Sequence, residues 1–164
     1  MKLFEALIPV FSEVYLGLGS NVGDRERHFR LALEWISETE GIELQVVSRF
    51  IQTKAVGRVR QPDFLNAVAK IRTILMPEEL LVVLQALECR AGRRSKGAYD
   101  PRPLDLDILF FGDQIVCTEL LTIPHPLLHE RAFVLEPLSE IAPDLVHPMF
   151  GDSIADFVSR MRSV

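Results

Sequence analysis

The chain has few cysteines, no long apolar run and no excess of positive charge, and each absence excludes a class of protein. Its 164 residues include two cysteines, Cys89 and Cys117, which lack the spacing of metal ligands and are expected to be reduced. No apolar run approaches the roughly 20 residues that cross a bilayer. The net charge of −5 disfavours a general nucleic-acid binder. We therefore expect a cytoplasmic protein without membrane or nucleic-acid partners, and the sequence predicts no particular oligomeric state.

The first residues lack the full pattern of a signal peptide. Glu5 interrupts their apolar stretch, a single lysine precedes it, and no small-residue cleavage site follows. The composition, 48% hydrophobic and 25% charged, is that of an ordinary globular protein. We expect residues 1–12 to be a short extension of unknown role and residues 13–164 to form one domain.

Two common nucleotide-binding motifs are missing as well. Gly17, Gly19 and Gly23 are spaced one residue too far apart for the dinucleotide-binding fingerprint, and no Walker-type phosphate loop occurs. A tight turn from strand to helix explains these glycines better than a dinucleotide site does.

The sequence does contain a clear order of strands and helices. The patterns predict a strand at 13–18, a helix capped by Asp24, strands at 42–53 and 64–74, a helix from Pro77 to Ala91, and a strand from Leu104. The two middle strands are joined by a loop alone, so they should pair antiparallel. This β-α-β-β-α-β order predicts an α+β protein with a ferredoxin-like core and an antiparallel sheet.

Further elements should follow that core. Gly112 and Asp113 predict a hairpin that returns from the last core strand through Ile115 and Val116. Helices are expected towards the C-terminus, the last of them capped by Asp152.

The most informative stretch is residues 104–108, which alternate apolar and acidic side chains. On a strand, Asp105 and Asp107 would share one face with their Cα atoms roughly 6–7 Å apart. Carboxylates that close repel each other unless a positive charge lies between them. Hard divalent cations such as Mg²⁺ take oxygen ligands, so a metal site is one interpretation. A strand with one solvated face explains the pattern alone equally well.

The residues before this strand favour the metal interpretation. Five basic residues precede it: Arg90, Arg93, Arg94, Lys96 and Arg102. Acids that bind metal, together with arginines that contact phosphate oxygens, suit phosphoryl-type transfer from ATP. No serine, cysteine or histidine has the setting of an activated nucleophile, so direct transfer is the simpler hypothesis.

Four motifs resemble those of the 6-hydroxymethyl-7,8-dihydropterin pyrophosphokinase family of folate biosynthesis. They are LGLGSNVGD at 16–24, QPDFLNA at 61–67, DPRPLDLDIL at 100–109 and TIPHPLLHERAF at 122–133. The resemblance covers nearly the whole chain from about Val14. It implies transfer of diphosphate from ATP to the hydroxymethyl group of the pterin, with release of AMP.

The resemblance also implies roles for individual residues. Asp105 and Asp107 would bind two Mg²⁺ ions that bridge the ATP phosphates, and Arg93 and Arg102 would be the catalytic arginines. The ATP-binding set would be Gln85, Glu88, Lys96, the backbone of Ile108, Thr122, His125 and Arg131. The pterin-binding set would be Thr53, Val56, Phe64, Asn66, Tyr99 and Phe133, with the two phenylalanines enclosing the ring. Loops near 19–24, 53–63 and 93–102 would close over the substrates.

The chain departs from the family pattern at a few positions, and two other functions stay open. Tyr99 stands where tryptophan is usual, Lys54 where proline is common, and either Arg94 or Lys96 could be the second cation of its loop. The alternatives are a non-catalytic ferredoxin-like module and a phosphotransferase with another acceptor. The acid pair and Asn66 speak against the first alternative, because a pure binding module needs no metals.

Overall fold

A computed structural model of the protein describes residues 9–54, 62–94 and 101–163. The elements are β1 Ser12–Ser20, α1 Arg25–Glu38, β2 Ile42–Val47, β3 Ile51–Thr53, β4 Phe64–Thr73, α2 Pro77–Arg90, β5 Asp105–Phe111, β6 Val116–Cys117, β7 Thr122–Ile123, α3 Ala132–Ile141 and α4 Ile154–Arg162. An antiparallel sheet in the order β2-β4-β1-β5 forms the centre, and β3 pairs with the start of β4. Within the described ranges, every helix is too short or too polar to cross a bilayer.

Helices α1 and α2 cover one face of the sheet, as the ferredoxin-like prediction requires. Asp24 caps α1 by accepting a hydrogen bond from the backbone N–H of Arg27 at 3.0 Å. Phe29 from α1 and Leu84 from α2 are fully buried against apolar side chains of the strands. This packing confirms the predicted βαββαβ core.

Helices α3 and α4 pack on the opposite face and form a second core. Leu109 and Phe110 of β5 meet Leu135 of α3 and Phe157 of α4 there. The prediction that Asp152 caps the last helix is wrong. Ser153 caps it by accepting from the N–H of Asp156 at 3.1 Å, while Asp152 pairs with Arg160 of the same helix at 2.8 Å.

The predicted strand at 42–53 is in fact two strands. Ser48 interrupts it, because its hydroxyl oxygen accepts the N–H of Val68 at 2.9 Å in place of a backbone carbonyl. The strands resume with Ile51 opposite Asn66. This shift brings Thr53 to the end of the sheet where Asn66 lies.

The predicted return strand after β5 also pairs differently. A turn forms at Gly112, with the N–H of Gln114 donating to the carbonyl of Phe111 at 3.0 Å. However, β6 pairs with β7 and not with β5, so the extra hairpin is a separate two-stranded sheet. Just after β7, the N–H of His125 donates to the carbonyl of Leu109 at 3.0 Å. This bond holds His125 beside the acidic strand.

Candidate active site

A cavity of about 570 Å³ lies between the second face of the sheet and the start of α3. Its volume is within the range of small-molecule sites. It is lined by residues of four strands, β1, β3, β4 and β5, by the segment after β7 and by the first turn of α3. The polar or aromatic lining residues are Thr53, Lys54, Phe64, Asn66, Arg102, Asp105, Asp107, His125, Glu130, Arg131 and Phe133.

Two glycines of β1 form the floor of this cavity. In the sheet, Gly19 lies opposite Asn66 on one side and Asp105 on the other, and Gly17 lies opposite Asp107. A Cβ atom on Gly19 would lie 3.7 Å from Cβ of Asp105 and 3.8 Å from Oδ1 of Asn66. Between the amide and the two acids, the floor of the cavity is therefore backbone without side chains. Sequence reasoning took them for turn residues, although their spacing of two on a strand already put them on one face.

Two arginines form ion pairs with Asp105, one with each carboxylate oxygen. Nη1 of Arg93 lies 2.7 Å from Oδ1, and Nη1 of Arg102 lies 2.7 Å from Oδ2. The arginine side chains are 15% and 16% exposed, so water screens these pairs only partly. Two of the five basic residues before the strand thus converge on the first aspartate.

Glu88 extends this cluster to helix α2. Its Oε1 lies 2.7 Å from Nη1 of Arg93 and accepts the backbone N–H of Leu106 at 2.7 Å. Burial raises the pKa of Glu88, while the bond from Leu106 and the charge of Arg93 oppose that rise. Glu88 therefore ties the end of α2 to β5 and holds Arg93 at the cavity's edge.

Asp107 has a different environment from Asp105. Burial, followed by the negative charges of Asp105 and Glu88, raises its pKa to about 7, and Arg131 and Arg102 only partly oppose this. The main reason that Asp107 holds its proton is therefore the loss of solvation on burial. A cation beside Asp107 would stabilise its ionised form.

The donor set fits Mg²⁺ better than a cation held by protein ligands alone. Mg²⁺ is usually bound by one or two carboxylates together with phosphates and water. Asp105 and Asp107 supply two carboxylates on one face of a strand. Across the three described ranges no cluster of three or more His, Cys, Asp or Glu side chains could hold a metal. The remaining ligands would have to come from a substrate and water.

His125 and Arg131 form one wall of the cavity. Burial and the nearby charge of Arg131 lower the pKa of His125 to about 4, so the ring is neutral at pH 7. Its Nδ1 accepts the N–H of Leu127 at 3.3 Å, which puts the ring proton on Nε2. The guanidinium of Arg131 lies 5.7 Å from the ring centre of Phe133. This wall offers one hydrogen-bond donor and one fixed positive charge.

The part of the cavity around Asn66, across Gly19 from Asp105, is suited to a flat, polar ring. Asn66 is 6% exposed and donates to the hydroxyl of Thr53 at 2.7 Å. Phe64 and Phe133 line the same cavity and supply apolar surface. An amide that reads a ring's edge between aromatic side chains is a common way to bind a heterocycle.

The structure brings most of the candidate residues together, and some of them lie elsewhere. Nine line the cavity: Thr53, Phe64, Asn66, Arg102, Asp105, Asp107, His125, Arg131 and Phe133. Arg93 is connected to the cavity because it pairs with Asp105, and Glu88 is connected to it because it pairs with Arg93. Gln85 is half-buried on α2, the side chain of Ile108 is in the core on the other face of the sheet, and Thr122 is exposed on β7.

Three candidates, Val56, Lys96 and Tyr99, lie outside the described residues. Parts of the loops at 53–63 and 93–102 do so too, and their closure over substrates stays a prediction. Conversely, Lys54, Glu130 and the two floor glycines line the cavity although the sequence analysis gave them no binding role.

Comparison with known proteins gives a consistent result. Residues 15–143 match the family model described as 7,8-dihydro-6-hydroxymethylpterin-pyrophosphokinase. The chain is 41% identical over 144 residues to the 2-amino-4-hydroxy-6-hydroxymethyldihydropteridine pyrophosphokinase of Aquifex aeolicus, covering 88% of this chain and 89% of that protein. It is 46% identical over 134 residues to the protein of the same name from Haemophilus influenzae, covering 82% and 84%.

Solved structures support the fold. A Plasmodium falciparum HPPK-DHPS structure superimposes with a TM-score of 0.75 at 14% identity, over 94% of this chain and 45% of that one. The chain therefore spans less than half of that longer protein. At this identity the likeness concerns the fold alone.

Proposed function

This chain belongs to the 7,8-dihydro-6-hydroxymethylpterin-pyrophosphokinase family, and we propose that the cavity on β1, β4 and β5 is its active site. The enzyme transfers diphosphate from ATP to the hydroxymethyl group of 6-hydroxymethyl-7,8-dihydropterin in folate biosynthesis. The hydroxyl oxygen of the pterin forms a bond to the β-phosphorus of ATP and loses its proton to solvent, the bond from that phosphorus to the AMP oxygen breaks, and AMP leaves. The cavity must therefore hold a triphosphate and a flat ring side by side.

The acidic face of β5 is the proposed metal site. Asp105 and Asp107 would hold two Mg²⁺ ions, which fits the two carboxylates on one face and the raised pKa of Asp107. When bound, Mg²⁺ would neutralise phosphate charge and align the reacting groups. The carboxylates themselves orient the site, and Asp107 loses its proton before it can accept a metal.

The arginines are the proposed phosphate-binding and charge-stabilising groups. Arg93 and Arg102 both end at Asp105, so their guanidinium groups border the place where phosphates would meet the metal site. A guanidinium can donate two parallel hydrogen bonds to phosphate oxygens and stabilise the charge that develops during transfer. Each would exchange part of its bonding to Asp105 for bonding to phosphate.

The remaining candidates divide between the two substrates. His125 and Arg131 would contact ATP, with Nε2–H of the histidine as a donor and the arginine as a charge. The other proposed ATP contacts are Gln85, Glu88, Lys96, Ile108 and Thr122. The proposed pterin contacts are Asn66, Thr53, Phe64 and Phe133 in the cavity, together with Val56 and Tyr99.

The observation that carries this assignment is the register of β1 with its two neighbours. Gly19 separates Asn66, the proposed ring-binding amide, from Asp105, the proposed metal ligand. A ring beside Asn66 and a metal-bound phosphate beside Asp105 would therefore be adjacent across a floor without side chains.

The test is a coupled assay of AMP release with ATP and the hydroxymethyl dihydropterin. We expect AMP release with Mg²⁺, none with EDTA, and recovery when Mg²⁺ is added back. Asn66→Ala should raise KM for the pterin, whereas Arg131→Ala should raise KM for ATP. AMP release that ignores EDTA would overturn the metal proposal, and release with unrelated alcohols would favour a different acceptor.

We further propose that the enzyme acts in the cytoplasm. The low cysteine content and the net negative charge support this. Cell fractionation with an antibody to the chain would test it, and recovery in the membrane fraction would contradict it.

A further inference from the structure

Asn21, the residue after β1, makes two hydrogen bonds to the backbone of Arg102. Its Oδ1 accepts the N–H of Arg102 at 2.7 Å, and its own N–H donates to the carbonyl of Arg102 at 3.0 Å. Asn21 is only 1% exposed. The asparagine thus engages both backbone polar groups of a residue that is distant in sequence.

The sequence around Arg102 makes these bonds important. Arg102 stands between Pro101 and Pro103, and proline has no backbone N–H. The N–H of Arg102 is therefore the sole backbone donor of this three-residue stretch, and Asn21 accepts it. From the backbone held in this way, the guanidinium of Arg102 reaches Asp105 at 2.7 Å.

Asn21 lies in the short segment between two rigid elements, β1 and α1. Ser20 before it is fully buried and pairs with Leu65 in the sheet. Asp24 after it caps α1 through the N–H of Arg27. A side chain fixed between a strand and a helix can transmit that rigidity to the residue that it binds.

We propose that Asn21 is a positioning residue of the transfer reaction, which fixes the backbone of Arg102 so that its guanidinium stays at the phosphate end of the cavity. Asn21 is absent from the lining of that cavity, so it acts through Arg102. This inference rests on the proposed role of Arg102.

The test is a double-mutant cycle of Asn21→Ala and Arg102→Ala, read as kcat and KM from AMP release. Because a displacement of about 1 Å can cost on the order of 10²-fold in rate, we expect Asn21→Ala to lower kcat about 10- to 100-fold. KM for the pterin should stay within about twofold of the wild type, since Asn66 and the phenylalanines are untouched. In the Arg102→Ala background, Asn21→Ala should change kcat by about twofold or less, because the group that it positions is gone.

Ser48→Ala is the matched control. Ser48 is also buried, and its side-chain oxygen also accepts a distant backbone N–H, that of Val68. The Ser48→Ala variant should have a lower melting temperature, as Asn21→Ala does, but its kcat should stay within about twofold of the wild-type value. If Asn21→Ala does not fold, Asn21→Ser takes its place in the cycle, because the serine side chain is too short for its oxygen to reach Arg102.

The outcomes separate the two proposals. If Arg102→Ala alone keeps full activity, the proposed role of Arg102 fails. If Arg102→Ala is impaired and the effects of the two substitutions multiply, the positioning role of Asn21 is overturned. A loss of stability with unchanged kcat in Asn21→Ala overturns it too.

Discussion

Replacing Asp107 by asparagine should make the metal-free protein more stable at pH 8. The pKa of a free aspartate is 3.8, and burial with two neighbouring acids raises that of Asp107 to about 7. At about 1.4 kcal/mol per pH unit, this difference corresponds to a cost of roughly 4 kcal/mol once the folded protein is fully ionised. Asparagine has a similar shape and no charge, so it avoids that cost.

The sign of the effect depends on pH. In the unfolded chain Asp107 loses its proton near pH 4, whereas in the folded protein it keeps it up to about pH 7. The contribution of this group to stability is thus fully present below pH 4 and is lost as the pH rises through 7. The advantage of Asp107→Asn over the wild type should therefore be near zero at pH 4 and grow to its full value at pH 8.

The assay is urea unfolding in EDTA at pH 4, 6 and 8, followed by circular dichroism. Asp105→Asn should have the opposite effect, a loss of about 2–3 kcal/mol at pH 8, because it removes the partner of two part-buried arginines. Asp113→Asn on the exposed turn is the control and should stay within about 0.5 kcal/mol of the wild type. Asp107→Asn should also abolish AMP release. An unchanged or lower free energy of unfolding for Asp107→Asn at pH 8 would refute the electrostatic reasoning.

Two further substitutions and one NMR titration probe other parts of the site. Gly19→Ala should fold normally, because the added Cβ would lie at an ordinary contact distance of 3.7 Å from Asp105. It should nevertheless raise KM for the pterin about tenfold, because the methyl group would project from the floor into the cavity. A KM equal to that of the wild type would contradict the proposed position of the ring. Glu88→Gln keeps an oxygen that can accept the N–H of Leu106 but loses the charge that holds Arg93. The kcat should therefore fall about tenfold, with a loss of about 1 kcal/mol or less in the free energy of unfolding. Full activity of this variant would show that Glu88 has no role in the site. The pKa of His125 is lowered to about 4, so its NMR ring signals should not move between pH 6 and 8, whereas a transition near 6.5 would contradict its burial beside Arg131.

The parts of the fold that could be predicted from sequence are those set by local patterns. The period of two in residues 104–108 put Asp105 and Asp107 on one face, and Asp24 capped α1 as expected. The prediction of the last helix cap is wrong because two neighbouring residues have similar capping preferences. Asp152 and Ser153 are both good capping residues, and the serine caps α4 while the aspartate pairs with Arg160 in the last turn of that helix.

The candidate site was predictable in its residue types but not in its contacts. Gln85 and Glu88 look alike on one polar helix face, and only the sheet position of Leu106 determines that the glutamate is the buried one. Likewise, nothing local links Asn21 to Arg102, because that contact depends on how β1 and the segment before β5 meet. Contacts of this kind follow from the tertiary structure, so pattern and spacing cannot supply them.

The position of β5 has a consequence for the solubility of the enzyme. Among the described strands β5 pairs on one side only, with β1, and an open strand edge is a template on which another chain can aggregate. Two of the backbone groups on its open edge already have partners. The N–H of Leu106 donates to Glu88, and the carbonyl of Leu109 accepts the N–H of His125. The same residues that border the proposed active site therefore also protect the strand that carries its acids from pairing with a second molecule.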